Sequence, residues 1–198
     1  MNRPPILYTY AEATGRTAPA MACMQLAEDA GWQVDRYRML ALPDHAGDYH
    51  ALLASYMRRE TFINVEQDVV ASLAMLDELA DCMWACCTIP YILQQPIESY
   101  SVVTGPIVTL DRKPGGQFAT LSGLGLVKIG DRYGSEIAAE LPGDVPWNVL
   151  DQNVSLAMQR LGVMWHVHWT NPLPRHAHPS EMPARNLSSQ IVTGRGSS

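Results

Sequence analysis

Glu66, Gln67 and Asp68 follow a β-branched and aromatic run, Thr61 to Val65. Residues i and i+2 at a strand end point the same way, so both carboxylates can converge on one ligand. Two acids placed so can hold a hard divalent cation, Mg2+ or Mn2+, through oxygen donors, and that cation can neutralise a diphosphate. The alternative is that Asp68 N-caps a following helix while Glu66 is solvated. A second group is rich in imidazole: His166 and His168, then His176 and His178, each pair two residues apart. One of them joining the acids would complete a mixed carboxylate–imidazole site, which favours Mn2+ over Ca2+. The others read as surface or satisfied core histidines. Third, Asp151 stands between a loop and a helical pattern, and reads as an N-cap, as a general base for an acceptor hydroxyl, or as both.

These residues need elements to position them. Ile6 to Tyr10 and Trp32 to Arg38 read as strands, with a helix from Ala18 to Ala30 between them that Gly31 stops. His50 to Arg59 reads as a helix. Val69, Leu73, Leu76, Ala80 and Met83 are spaced 4, 3, 4 and 3, which predicts a helix directly after the acids. Trp84 to Leu93 is strand-like, interrupted by Pro90. Alternating strands and helices argue for α/β architecture, a mostly parallel sheet flanked by helices. In the second half, Ser101 to Leu110 and Phe118 to Ile129 read as strands around the cationic loop Arg112-Lys113-Pro114-Gly115-Gly116. Asp131 to Glu140 reads as a short helix. Leu150, Val154, Ala157 and Leu161 give a further one, ended by Gly162, and Met164 to Trp169 is strand-like. Within Leu121-Ser122-Gly123-Leu124-Gly125-Leu126, the two glycines mark a strand that another group approaches closely. From about residue 181 the chain reads as an irregular tail, leaving one domain over 1–180.

Composition narrows the function. The chain has 198 residues, 47% hydrophobic and 17% charged, with a formal net charge of −6. That excludes a disordered chain and a long coiled coil, and disfavours a general coating role on nucleic acid. No signal peptide or membrane span is expected, so the expectation is a cytoplasmic protein, of a bacterial or phage-infected cell if the resemblance below holds. The four cysteines, Cys23, Cys82, Cys86 and Cys87, contain no CxxC pair. They predict reduced, partly buried thiols rather than a disulfide framework or a zinc knuckle.

Five stretches together resemble a compact GT-A-fold glycosyltransferase of the family-two-like type found in bacteria and phages. They are Phe62-Ile63-Asn64-Val65-Glu66-Gln67-Asp68-Val69-Val70, Cys86-Cys87-Thr88-Ile89-Pro90-Tyr91, Leu124-Gly125-Leu126-Val127-Lys128, Trp147-Asn148-Val149-Leu150-Asp151 and the histidine-rich end. The resemblance implies a DxD-type acidic motif at Glu66 and Asp68, Asp68 the direct ligand of Mn2+ or Mg2+. It implies a metal-binding histidine among His166, His168, His176 and His178, and an acceptor-side base at Asp151. The first acid is Glu where the motif has Asp, and Leu150 precedes Asp151 where an acid is usual. The nucleotide-sugar, a UDP-sugar such as UDP-glucose, would lie against the first strand. Tyr8 or Tyr10 would stack on its base, and Thr9, Glu12, Thr14, Arg16 and Gln67 would contact base, ribose or phosphate. Trp147, Arg112 and Lys113 would face the acceptor, with Arg132, Arg175 and Arg185 as further phosphate contacts. Hydroxymethylcytosine DNA of phage type is the candidate acceptor. Two other readings share these residues: a metal-dependent hydrolase of nucleotides or phosphoesters, and a non-enzymatic interaction module whose acids and histidines are structural.

Overall fold

A computed structural model describes residues 3–11, 18–39, 46–93, 99–103, 117–142 and 149–176. Its first half alternates as the apolar pattern predicts: β1 Ile6–Ala11, α1 Ala18–Asp29, β2 Val34–Met39, α2 Ala46–Met57 and β3 Phe62–Glu66. After a two-residue strand β4, Val69–Val70, come α3 Leu73–Asp81 and β5 Cys86–Thr88. Four short strands follow, β6 Ile92–Leu93, β7 Ser99–Tyr100, β8 Val102–Val103 and β9 Gln117–Ala119. The chain continues through β10 Leu121–Ser122, β11 Leu126–Ile129, α4 Asp131–Glu140, α5 Leu150–Arg160, β12 Trp165–Val167 and β13 Arg175–His176. Gly31 and Gly162 end α1 and α5 with φ of 83° and 69°, the left-handed conformation that glycine adopts without a Cβ clash.

The main sheet has seven strands in the order β2-β1-β3-β11-β5-β12-β9. Neighbours β2, β1 and β3 are parallel, as are β5 and β12, whereas β11 and β9 run antiparallel to their neighbours. Five of the seven strands therefore share one direction, as the alternating pattern predicts. Side chains alternate between two cores. Leu7, Phe62, Cys86, Val127, Trp165 and Val167 pack under α2, α4 and α5. Ile6, Tyr8, Ile63, Val65, Cys87 and Leu126 pack under α1 and α3. This period of two across central strands, with both faces buried, explains their near-continuous apolar sequence.

Two expectations change. The predicted helix from Val69 to Met83 is instead β4 followed by α3. Ser72 is the N-cap, accepting a hydrogen bond from the Met75 amide at 3.3 Å, and Val69 pairs with His176 in β13. Met83 lies beyond the helix and is 89% exposed. The single strand expected over 118–129 is three, because the chain breaks at Thr120, where it leaves the main sheet to pair with β8, and again at Gly123-Leu124-Gly125. The segments 94–98, 104–116, 143–148 and 177–198 lie outside the described residues, and with them the proposed tail boundary.

The two helices of the α2–α4 pair cross closely at Gly134, where an added Cβ would clash with the Met57 carbonyl oxygen. Backbone cannot rotate away as a side-chain tip can. Gly134→Ala is expected to cost about 1–3 kcal/mol and to lower the thermal midpoint by several degrees, measurable by circular dichroism. An unchanged midpoint would contradict this packing.

Candidate functional site

The sheet topology itself marks a place for a ligand. The chain passes from β1 through α1 to β2, then returns through α2 past β1 to β3, so α1 and α2 cover opposite faces. Ligands in open α/β sheets sit outside the carboxyl ends of strands at such a switch point. Here those ends are Thr9 to Ala11 of β1 and Glu66 of β3, with Thr9 and Glu66 in register. The acidic motif thus falls where the topology opens.

Glu66 is held rather than loose. The Tyr49 hydroxyl, on α2, donates to Glu66 Oε1 at 2.9 Å. Asn64, two residues earlier on the same face of β3, donates from Nδ2 to the Tyr49 oxygen at 3.0 Å and to the Leu124 carbonyl at 2.6 Å. Burial pushes the Tyr49 hydroxyl well above its usual range, and the Glu66 charge adds to it. Tyr49 therefore remains a donor and fixes the carboxylate. Asp68 is half-buried in the turn between β3 and β4, and it is not a helix cap, since Ser72 fills that position. One of the two alternatives for Asp68 is thereby removed.

Asp151 is not a cap either. Val149 is the N-cap of α5, and Asp151 sits in the first turn, accepting from the Gln152 amide at 2.8 Å. An anion there is favoured by the helix dipole, yet burial dominates and raises its carboxyl above the usual aspartate range. One turn on, Ser155 is fully buried and ties α5 to the sheet. It accepts from Trp165 Nε1 at 3.0 Å and from the Ser122 amide at 3.3 Å, and Ser122 in turn bonds Thr88 at 2.8 Å. This network fixes where α5 presents Asp151.

Tyr91 lies within electrostatic reach of all three acids. Its hydroxyl is pushed well above the usual range, first by burial, then by the charges of Glu66, Asp68 and Asp151. Its ring lies against the two glycines: a Cβ on Gly125 would come within 2.8 Å of ring atoms, and one on Gly123 within 2.7 Å of the hydroxyl oxygen. The close approach that Gly123 and Gly125 predict is therefore the Tyr91 ring. No sequence signal named Tyr91, Tyr49 or Asn64 as site residues. The glycine pair was the nearest clue to Tyr91, and Tyr49 had none.

The other expected residues divide. Tyr8 and Tyr10 are core side chains, 0% and 9% exposed, with ring centroids 5.8 Å apart. The Tyr8 ring fills the core and offers no face for base stacking. Thr9 is buried beside Glu66, and Gln67 is half-buried in the turn. His176 lies in β13 opposite Val69, one residue from Asp68, although its side chain is outside the described set. Arg175 precedes it, opposite Val70, and Arg132 opens α4 with its guanidinium 5.1 Å from the Tyr133 ring centroid. Glu12, Thr14, Arg16, Arg112, Lys113, Trp147, His178 and Arg185 lie outside the described residues.

His166 and His168 are placed elsewhere, with Cys82 and Cys87. Cys82 and Cys87 form a disulfide, where the spacing predicted reduced thiols. The turn from the end of α3 into β5 folds the chain back within five residues and brings the two sulfurs together. Cys23 and Cys86 are the free thiols among the described residues.

No family model matches the chain, and no curated protein is detectably similar to it. Solved structures are. A197 from STIV superposes with a TM-score of 0.56 at 12% identity, over 83% of this chain and 82% of that one. A glycosyltransferase involved in the glycosylation of the major capsid of PBCV-1 gives a TM-score of 0.48 at 14% identity, over 90% and 97%. The inositol-1-phosphate CTP transferase from T. maritima gives 0.48 at 11%, over 89% and 71%. At such identities the likeness speaks of fold alone, here the α/β arrangement of a mostly parallel sheet flanked by helices that this chain shares with A197 from STIV. No helix among the described residues is long and apolar enough to cross a membrane.

Proposed function

We propose that the chain is a metal-dependent glycosyltransferase, moving a sugar from a nucleotide-sugar to an acceptor hydroxyl. The observation that carries this reading is the placement of Glu66, held by Tyr49 at the carboxyl end of β3 where the topology opens, with Asp68 in the turn that follows. Two carboxylates two residues apart at a strand end suit a hard cation with oxygen donors, Mn2+ or Mg2+. Asp68 and Glu66 would hold it, with His176 the histidine whose strand register brings it beside Asp68. When bound, the cation supplies Lewis-acid stabilisation of the departing diphosphate.

The chain's own residues carry the remaining chemistry. Tyr49 and Asn64 keep Glu66 oriented without a cost in mobility at each turnover. Asp151, projected from the first turn of α5, takes the proton of the acceptor hydroxyl as that oxygen attacks the anomeric carbon. The C–O bond to the diphosphate breaks with both electrons on the leaving oxygen, and a single in-line displacement inverts the anomeric centre. A UDP-sugar is the first donor to try and hydroxymethylcytosine DNA the first acceptor. Donor turnover with Mn2+ and such an oligonucleotide, read by mass spectrometry, should add one hexose mass per modified base. Hydrolysis with water alone, with no acceptor preference, would overturn the transferase reading in favour of a hydrolase.

A base must be ionised to act, and burial raises the Asp151 carboxyl. Activity should therefore climb with pH along an acid limb in kcat/KM that lies above the ordinary aspartate range, then level off. A limb at the ordinary aspartate value would contradict Asp151 as the partly desolvated base.

A further inference from the structure

A second constellation lies apart from the three acids, on the α1–α3 face of the sheet. Across β11, β5, β12 and β9, Lys128, Cys87, His166 and Phe118 stand in register. Cys82, at the end of α3, and His168, just past β12, complete it. The ligand-capable atoms of Cys82, Cys87, His166 and His168 all lie within 4.8 Å of one another. His166 Nδ1 is 3.7 Å from Cys82 Sγ and 3.1 Å from His168 Nε2.

We propose that these four residues form a Cys2His2 zinc site when the two cysteines are reduced, the disulfide being the metal-free form of the same pair. Two sulfurs and two imidazole nitrogens are the donor set of closed, tetrahedral structural zinc, unlike the oxygen donors around Asp68. In such a site ligand atoms stand about 3.3–3.8 Å apart, from bonds of about 2.0–2.3 Å. The two nitrogens, and Cys82 Sγ with His166 Nδ1, already have nearly this spacing, while the bonded sulfurs must separate. The Cα atoms of Cys82 and Cys87 are 6.9 Å apart, which leaves room for an ion between their side chains.

The surroundings fit a ligand role better than a chance cluster. His168 presents Nε2 to the centre, while its Nδ1 pairs with Glu78 Oε1 at 2.9 Å. A carboxylate on the far nitrogen is the usual support of a metal-bound histidine. The Trp84 ring stacks on His166 with centroids 5.7 Å apart, and the Phe118 ring meets it edge-on at 5.5 Å, forming an apolar wall. Lys128 donates to the Cys82 carbonyl, which brings a cation beside the two sulfurs. Reduction consumes two electrons and two protons from a dithiol, which leaves as its own disulfide, and yields two thiols. Zinc binding then releases those two protons as the thiolates ligate it. The ion would clip the end of α3 to β5 and β12.

The test is zinc content of the full chain, reduced with a dithiol, stripped with chelator, given zinc and desalted without oxygen. About one equivalent per chain is expected, and Co2+ in its place should show intense thiolate-to-metal charge-transfer absorption. The oxidised chain should retain none. Glu78→Gln, which keeps the fold's contacts nearly intact, should weaken zinc about 10–100-fold. Cys23→Ser and Asp68→Ala should leave the stoichiometry unchanged, which separates this site from the diphosphate site. Equal zinc in the oxidised chain, or in Cys82→Ser/Cys87→Ser, would overturn the proposal, as would no zinc in the reduced wild type.

Discussion

Asp151→Asn should reduce sugar transfer by about 100- to 10,000-fold, the usual contribution of a positioned general base, while nucleotide binding stays near wild type. The substitution keeps size and shape, and the Asn carbonyl can still accept from the Gln152 amide as the carboxylate does at 2.8 Å. What it removes is proton affinity. It also removes a half-buried carboxyl whose charged form burial already disfavours, so the fold should not suffer. The Ser155–Trp165 and Ser122–Thr88 bonds that seat α5 do not involve Asp151. Rates measured at saturating donor, alongside calorimetric nucleotide affinity, separate the two effects. Transfer at near wild-type rate would show that another group takes the proton.

Asp68→Ala should remove the metal-dependent part of nucleotide binding. Leaving the diphosphate's charge unpaired in the site costs about 3 kcal/mol or more, and about 1.4 kcal/mol is tenfold in affinity. A loss of roughly 100-fold or more is therefore expected in Mn2+, against little change in chelator. Asp68 occupies a turn and caps no helix, since α3 is capped by Ser72. Its removal therefore breaks no helix cap. Glu66 should behave differently. Tyr49 holds it through a buried hydrogen bond, so truncation there also strands the Tyr49 hydroxyl and costs stability. This contrast makes Asp68 the cleaner probe.

Much of this architecture could be read from the chain, for a physical reason. Central strands buried on both faces are largely apolar, and Phe62-Ile63-Asn64-Val65 shows it with Asn64 as the polar exception that serves the site, while Gly31 and Gly162 stop helices by local conformation alone. The acids at the end of β3 were legible because strand ends and loops are local features. What local periodicity misrepresents is pairing at a distance. Val69 matches the helical spacing of Leu73 and Leu76, yet it belongs to a strand partnered by His176, and the helix waits for Ser72. Tyr91 was invisible as a site residue because only the folded chain lays its ring on Gly123 and Gly125. The cysteine–histidine cluster was hidden for the same reason. Its halves lie some eighty residues apart and meet only because β12 adds parallel to β5, with His166 opposite Cys87. The pairs of histidines read from spacing as one group are split by the fold, His166 and His168 to that cluster and His176 to the strand beside Asp68.

The most direct test of the central claim is a calorimetric titration of the chain with UDP-sugars, each with Mn2+ and with chelator, in wild type and Asp68→Ala. Tight binding of at least one donor by wild type in Mn2+, lost in chelator and lost in the variant, is the predicted result. Binding that is equally strong without metal or without Asp68, or no binding of any nucleotide-sugar under either condition, would contradict it.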